Sequence, residues 1–407
     1  MTKPVAITPT SGASPALVFP QMRPDPYTPP PQYRARSGAP LHRCTLAYGG
    51  EAWLVTGLKA AREILADSAT FSSDTTRTDF PPFPLASKRH IPGHFLSMDP
   101  PEHTRLRGLA AAGFSAGRVR QLRPAIESAV SQLVDDMVSG GGPADVVEAV
   151  TLPLPAITAA RLLGTPAEDR DFFLDCVRDM QMHDATPVRR AAAAGRLNQY
   201  LERLLEAKRR DPADDLLSGL ASEIGQGNLS LADAIGAANL IVMAGLETTS
   251  GLLSLALLSL LTDEQQARLV RSEPRRWCGP AIGESLRYWT VVQHGVARVA
   301  TRDTEVAGCP VRAGDAVVVS LPSVNRDPEV YPDPGRFDVT RDVQGQLAFG
   351  HGVHRCLGSF LAQTQAELAL AELIGRLPGL RLAVPADELM FLDDMLIYGV
   401  RALPVEW

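Results

Sequence analysis

The sequence predicts a mainly α-helical protein with small β-sheets, and three observations carry that expectation. Between about residues 235 and 261, apolar residues run nearly all round the helical wheel. That is the pattern of one long helix through the middle of a large protein. From about 118 to 222, helical patterns follow one another with short breaks at 140–142, 153–155 and Asp211-Pro212. Alternation with β-branched residues is confined to short runs at 52–55 and 296–319. An apolar share of 45% is ample for a sizeable core.

The elements can be justified in chain order. Residues 1–20 are small and polar and are expected to form a flexible tail. The proline-rich stretch 24–31 cannot be regular helix, because proline lacks the donor that a helix needs. Residues 52–55 read as a strand and 58–65 as a helix ending before Asp67. Residues 71–95 are rich in Thr, Pro, Phe and Ser without periodicity, so they are either disordered or a functional loop. Pro100, Pro101 and Glu102 mark a helix start. On that helix His103 and Arg107 are four apart and share a face on which they could grip one anion. Ser230 with Asp233 three residues later has the form of a capping box and opens the long helix. Turns at Ala307-Gly308 and Ala313-Gly314 divide 296–319 into a small sheet. After residue 349 a glycine-rich turn leads to Cys356, and Leu357, Phe360, Leu361, Thr364 and Leu368 then recur at helical spacing.

A formal net charge of -6 gives no footprint for nucleic acid. Lysine occurs only at positions 3, 59, 88 and 208, and the other basic residues are arginines. Cys44, Cys176, Cys278, Cys309 and Cys356 are odd in number and scattered, which fits a reducing cytosol and no disulfide framework. No basic-then-apolar leader is expected at the N-terminus. The run 235–261 carries Asn239, Glu247, Thr248, Thr249 and Ser250 at its centre, so it reads as a buried helix and not a membrane span.

Three stretches carry chemistry. Cys356 is expected at a helix N-terminus, where free N–H groups and the dipole favour a thiolate suited to a soft metal. Ala244 and Gly245 remove bulk from the long helix, leaving room for a flat cofactor and a small ligand. Next to them Glu247 and Thr248 are costly in apolar surroundings unless bonded or functional. Thr248 can bond back to the carbonyl of residue 244 and open the helix there. Glu284 and Arg287 form an acid–base pair at i, i+3.

Set out as Phe-Gly-x-Gly-x-His-x-Cys-x-Gly, residues 349–358 resemble the haem-binding loop of the cytochromes P450. Ala244-Gly245-Leu246-Glu247-Thr248 resembles that family's oxygen-activation motif, with Glu where Asp is also common. Glu284-Ser285-Leu286-Arg287 is similar to its Glu-x-x-Arg. Its usual third member is then Arg336, in Pro334-Gly335-Arg336-Phe337-Asp338, with Gly335 where an acid often stands. The resemblance covers about 19–407, with the motifs in the family's order.

What the resemblance implies is a cytochrome P450 fold in one haem domain, residues 21–407. Haem b (iron protoporphyrin IX) would lie between the long central helix and the cysteine-loop helix. Cys356 would be the metal ligand, and Ala244, Gly245, Phe349 and Gly358 would lie against the cofactor. His103, Arg107, Arg298 and His354 would meet its propionates. Thr248 would hold dioxygen and its water, Glu247 would relay protons, and Glu284, Arg287 and Arg336 would form a structural network. Positional analogy puts Leu240, Met243, Ala244, Val291, His294, Leu396 and Ile397 at the substrate pocket, under a roof at 71–95 and a lid at 172–200.

The implied activity is monooxygenation of a medium-sized organic molecule, with hydroxylation as the first expectation. It would use O2 and electrons from a separate ferredoxin and ferredoxin reductase, in the cytoplasm, without membrane or nucleic acid. The stretches 99–107 and 393–399 resemble actinobacterial enzymes, which often tailor secondary metabolites. Arg105, Arg118 and Arg355 are candidates for a basic docking face. Oxidative cyclisation or coupling would use the same residues. A peroxide-driven haem enzyme is the next alternative, although such members often lack the acid–alcohol pair. A non-enzymatic haem sensor would need no relay at all.

Overall fold

In the computed structural model of the chain, residues 17–33, 39–84, 86–181 and 186–407 are described. Strands β1 (Val18–Phe19), β2 (Leu41–Leu46) and β3 (Glu51–Val55) come first. The fold therefore begins inside the stretch expected as tail: Leu17 and Phe19 are buried, and β1 pairs in parallel with β2. The rest of that expectation, 1–16, lies outside the described residues. Helix α1 (Leu58–Ala66) sits where it was expected, with Leu58, Ala61, Ile64 and Leu65 buried at three- and four-residue spacing. Strand β4 (Phe71–Ser72) follows.

Helix α2 (Glu102–Ala111) starts directly after Pro101. Helix α3 (Ala116–Ser139) is capped by Ser115, whose side chain accepts from the Arg118 amide. Strand β5 (Ala144–Asp145) leads through a π-helical turn at Val147–Thr151 into α4 (Pro153–Leu163). The prolines at 153 and 155 thus open a helix where a break was expected, since a first-turn residue has no intrahelical N–H bond to lose. Helices α5 (Arg170–Gln181), α6 (Pro187–Arg210) and α7 (Leu216–Gly225) precede α8 (Leu231–Thr262). Part of the expected lid, 182–185, lies outside the described residues. The C-terminal half holds α9 (Glu264–Ser272), α10 (Pro274–Trp289), β6 (Val296–Ala300), β7 (Thr304–Val306), β8 (Cys309–Val311) and β9 (Ala316–Val319). A short α11 (Leu321–Val324), α12 (Ser359–Arg376), β10 (Arg381–Leu382) and β11 (Pro404–Glu406) complete the chain.

The two strand regions expected from sequence join in one sheet of order β1-β2-β3-β9-β6-β4. Within it β3 runs parallel to β9, and β9 runs antiparallel to β6. A three-stranded sheet, β10-β11-β5, and the β7–β8 hairpin are separate. Helix α8 is the axis of the main core and packs against α4, α6, α10 and α12. At 32 residues it is the one described helix long and apolar enough to cross a membrane, and 67% of its most apolar window is buried inside the protein. The reading of a core helix holds. Its first turns also seat the roof segment. A Cβ on Gly236 would overlap the Pro92 carbonyl oxygen, and the Gly93 amide donates to Asp233 Oδ1 at 2.9 Å.

Candidate active site

Ser230 caps α8 as its sequence foretold, with its Oγ accepting from the Asp233 amide at 3.0 Å. Buried residues predominate along the helix and fill its second half, but Met243, Ala244 and Gly245 are exposed at mid-length, Met243 by 41%. A Cβ added to Gly245 would meet nothing within 4 Å. An opening in the middle of a core helix is a place made for something else. One turn on, Thr248 Oγ1 donates to the Ala244 carbonyl at 2.7 Å, the back-bond expected. The helix nevertheless stays unbroken from Leu231 to Thr262, so the expected opening of the backbone does not occur. Burial pushes the Glu247 carboxyl above its ordinary range, and Arg190 on α6 pulls the other way.

Cys356 stands just ahead of α12, whose N-cap is Gly358. Its own amide donates to the Phe349 carbonyl at 2.8 Å, which closes the glycine-rich turn. The side chain keeps contact with solvent, yet protein surrounds it closely enough that burial pushes the thiol up. The Gly358 amide, Arg107 and Arg355 pull it back. The Gly358 amide acts in the direction expected of a helix start, and metal binding is what would take the proton. Behind the turn, Thr364, Leu361 and Gln365 are buried, whereas Phe360 faces solvent, contrary to its expected place on the apolar face.

Four residues expected at an anion come together. The rings of His103 on α2 and His354 in the cysteine turn lie 4.1 Å apart between centroids. Arg298 on β6 is buried, and it and the half-buried Arg107 are both close enough to the two rings to act on them. Burial, with Arg107 next, holds the His103 imidazole down at about 4, and burial with Arg298 depresses His354 further. Burial also lowers the Arg298 guanidinium to about 10. Both ring nitrogens of His103 and Nε2 of His354 are sealed from solvent without a hydrogen-bond partner among the described residues. Leaving such groups unpaired costs about 1–3 kcal/mol each. Donors converging on one spot fit the carboxylates of a haem, and Cys356 fits its iron. The residues present fit the group.

Glu284 and Arg287 are both wholly buried and bonded twice, at 2.7 and 2.6 Å. Arg287 also donates to the carbonyls of Asn325, Pro334 and Arg336. The third guanidinium is not the one expected. Arg336 enters by its main-chain carbonyl alone, whereas Arg341 Nε meets Glu284 Oε1 at 3.3 Å. Asn325, which sequence did not single out, extends the network: its Oδ1 accepts from the Leu347 amide at 2.6 Å, just ahead of the cysteine turn.

Of the pocket residues, Val291 and Ile397 flank Gly251 of α8, with Cγ atoms 3.6 and 3.9 Å from where its Cβ would be. Leu240 is buried on the same helix, Leu396 accepts a backbone bond from Gln293, and His294 is bonded to Tyr48. The proposed docking arginines are largely committed. Arg105 is paired with Glu102, and Arg118 with Asp214, which leaves Arg355 as the candidate without an ion pair among the described residues. An open groove of about 1080 Å³ on α3, α10 and α12 includes neither Cys356 nor Thr248.

Known proteins agree. The family model for cytochrome P450 matches residues 178–378. Cytochrome P450-SU2 of Streptomyces griseolus is 41% identical over 94% of this chain and 94% of its own length. Pentalenic acid synthase of Streptomyces avermitilis is 39% identical over 98% of this chain and 99% of its own. The crystal structure of cytochrome P450 MoxA from Nonomuraea recticatena superposes with a TM-score of 0.91 at 38% identity, covering 96% of this chain and 98% of that one. With near-complete coverage, and with the cysteine turn, the Glu247–Thr248 pair and the buried acid–base network all present, the chain belongs to the cytochrome P450 family of haem-thiolate monooxygenases.

Proposed function

We propose that the protein holds haem b, takes electrons from a ferredoxin and its reductase, and hydroxylates a medium-sized organic molecule in bacterial secondary metabolism, in the cytoplasm. The observation that carries this is the exposed Met243-Ala244-Gly245 face, one turn from Glu247 and Thr248, on a helix otherwise built as core. When bound, the haem supplies dioxygen binding and activation, helped by electron density from a thiolate ligand. The chain's residues supply the rest. Thr248, whose hydroxyl hydrogen is engaged by the Ala244 carbonyl, presents lone pairs that would hold a water in the opening. Glu247, raised by burial, can carry a proton closer to neutral pH than an ordinary carboxyl and deliver it there. The kinship with pentalenic acid synthase supports a natural-product substrate.

The test is turnover of the haem-loaded protein with a surrogate ferredoxin and reductase, on a terpene, polyketide, steroid and peptide panel. Compounds are chosen by the spin-state shift they produce. Thr248→Ala is expected to keep consuming oxygen while product per oxygen falls about 10²-fold, with hydrogen peroxide in its place. Full turnover on peroxide alone, indifferent to Thr248→Ala, would overturn the reading in favour of a peroxide-driven enzyme.

A further inference from the structure

The segment after α10 runs along the site under unusual restraint. At one end Val291 packs on Gly251, three residues beyond Thr248 on α8, and its carbonyl accepts from the Tyr398 amide at 2.7 Å. Gln293 donates from its side chain to the carbonyls of Leu392, Asp393 and Met395. At the other end Arg298 joins His103 and His354. His294 follows Gln293 in the chain and precedes Arg298 by four residues, so its backbone is held from both sides.

The ring is 9% exposed, and its Nδ1 lies 3.0 Å from the hydroxyl of Tyr48 in the β2–β3 turn. Tyr48 in turn sits edge-on to Phe83 of the roof, 5.9 Å between centroids. A phenol is the better donor and an imidazole nitrogen the better acceptor, so Tyr48 donates and the proton of His294 stays on Nε2. Nε2 has no protein partner among the described residues, and it is not one of the sealed polar atoms. That edge of the ring therefore keeps some contact with solvent. Burial, opposed by Asp394, keeps the ring at about 4, so it is neutral at ordinary pH and offers one hydrogen bond without a charge.

We propose that Tyr48 and His294 form a recognition pair in which His294 Nε2–H binds an uncharged oxygen of the substrate, a carbonyl, hydroxyl or ether. The inference rests on the monooxygenase reading and names the kind of molecule that site prefers. His294 touches the ligand, and Tyr48 is a positioning residue that fixes the tautomer. A bond of this kind discriminates because a substrate lacking the oxygen leaves the donor unpaired in apolar surroundings.

The test uses two sesquiterpenes with one skeleton, valencene and its ketone nootkatone, titrated by spin-state shift into the haem-loaded full chain. The ketone is expected to bind about tenfold tighter. In His294→Phe the ratio of the two affinities should fall to about one. In His294→Gln, which keeps a donor, part of it should return. Tyr48→Phe should lower the preference without abolishing it. Equal affinity in the wild type, no saturable response to either compound, or a preference that survives His294→Phe overturns the proposal. A carbon monoxide spectrum of each variant separates the two levels. Loss of the thiolate band would mean the monooxygenase reading itself has failed, whereas lost preference with the band intact concerns only this pair.

Discussion

Arg287→Ala is expected to lower stability by about 3–5 kcal/mol, because it strands the Glu284 carboxylate in the core without its partner. The pair is fully buried, and Arg287 also holds the carbonyls of Asn325, Pro334 and Arg336. Through Asn325 the same network reaches the Leu347 amide, and the Gly350 amide then bonds the Leu347 carbonyl at 2.8 Å. The variant should therefore fail to retain haem as well as lose stability. Arg341→Ala should cost about 1.5–3 kcal/mol, the range for hydrogen bonds to charged groups. Arg336→Ala should stay within about 0.5 kcal/mol, since only its main chain takes part. Urea unfolding and haem content of the purified variants check all three. Equal effects of Arg336→Ala and Arg341→Ala would contradict the assignment.

Gly352→Ala is expected to damage the cysteine turn far more than Gly350→Ala, although both glycines have positive φ, +69° and +68°. At Gly350 a Cβ meets nothing within 4 Å, so alanine pays only the left-handed conformation, about 1 kcal/mol. At Gly352 the same Cβ would overlap the Leu65 carbonyl oxygen and touch Ala66 Cα at 3.0 Å. Backbone at the end of α1 cannot give way as a side-chain tip would. The expected cost is about 2–4 kcal/mol, with the turn pushed off α1 and Cys356 displaced. Thermal unfolding and the fraction of protein carrying haem distinguish the two. Similar losses at both positions would show that the contact with α1 does not matter.

Much of this was legible in the sequence because local spacing encodes it. The cap at Ser230, the back-bond of Thr248 and the bidentate Glu284–Arg287 pair are contacts within one helix, three or four residues apart. Residues of the cysteine motif were legible for the same reason. His103, Arg298 and His354 belong to separate elements, and only a family resemblance could put them in one cluster. Contacts between distant segments were not readable. Arg341 and Arg336 both follow α10 in an irregular stretch, and the turn at Asp338 decides which guanidinium reaches Glu284. Tyr48 and His294 meet across 246 positions with no pattern to announce it. Strand β1 was missed because two residues carry no periodicity, and its partner β2 supplies the register.

The most direct measurement is the carbon monoxide difference spectrum of the reduced, haem-loaded protein, taken beside Cys356→His. The account predicts a thiolate-type band in the wild type that shifts to an imidazole-type band in the variant. An unchanged band in Cys356→His, or a wild-type spectrum without thiolate character, would contradict Cys356 as the haem ligand.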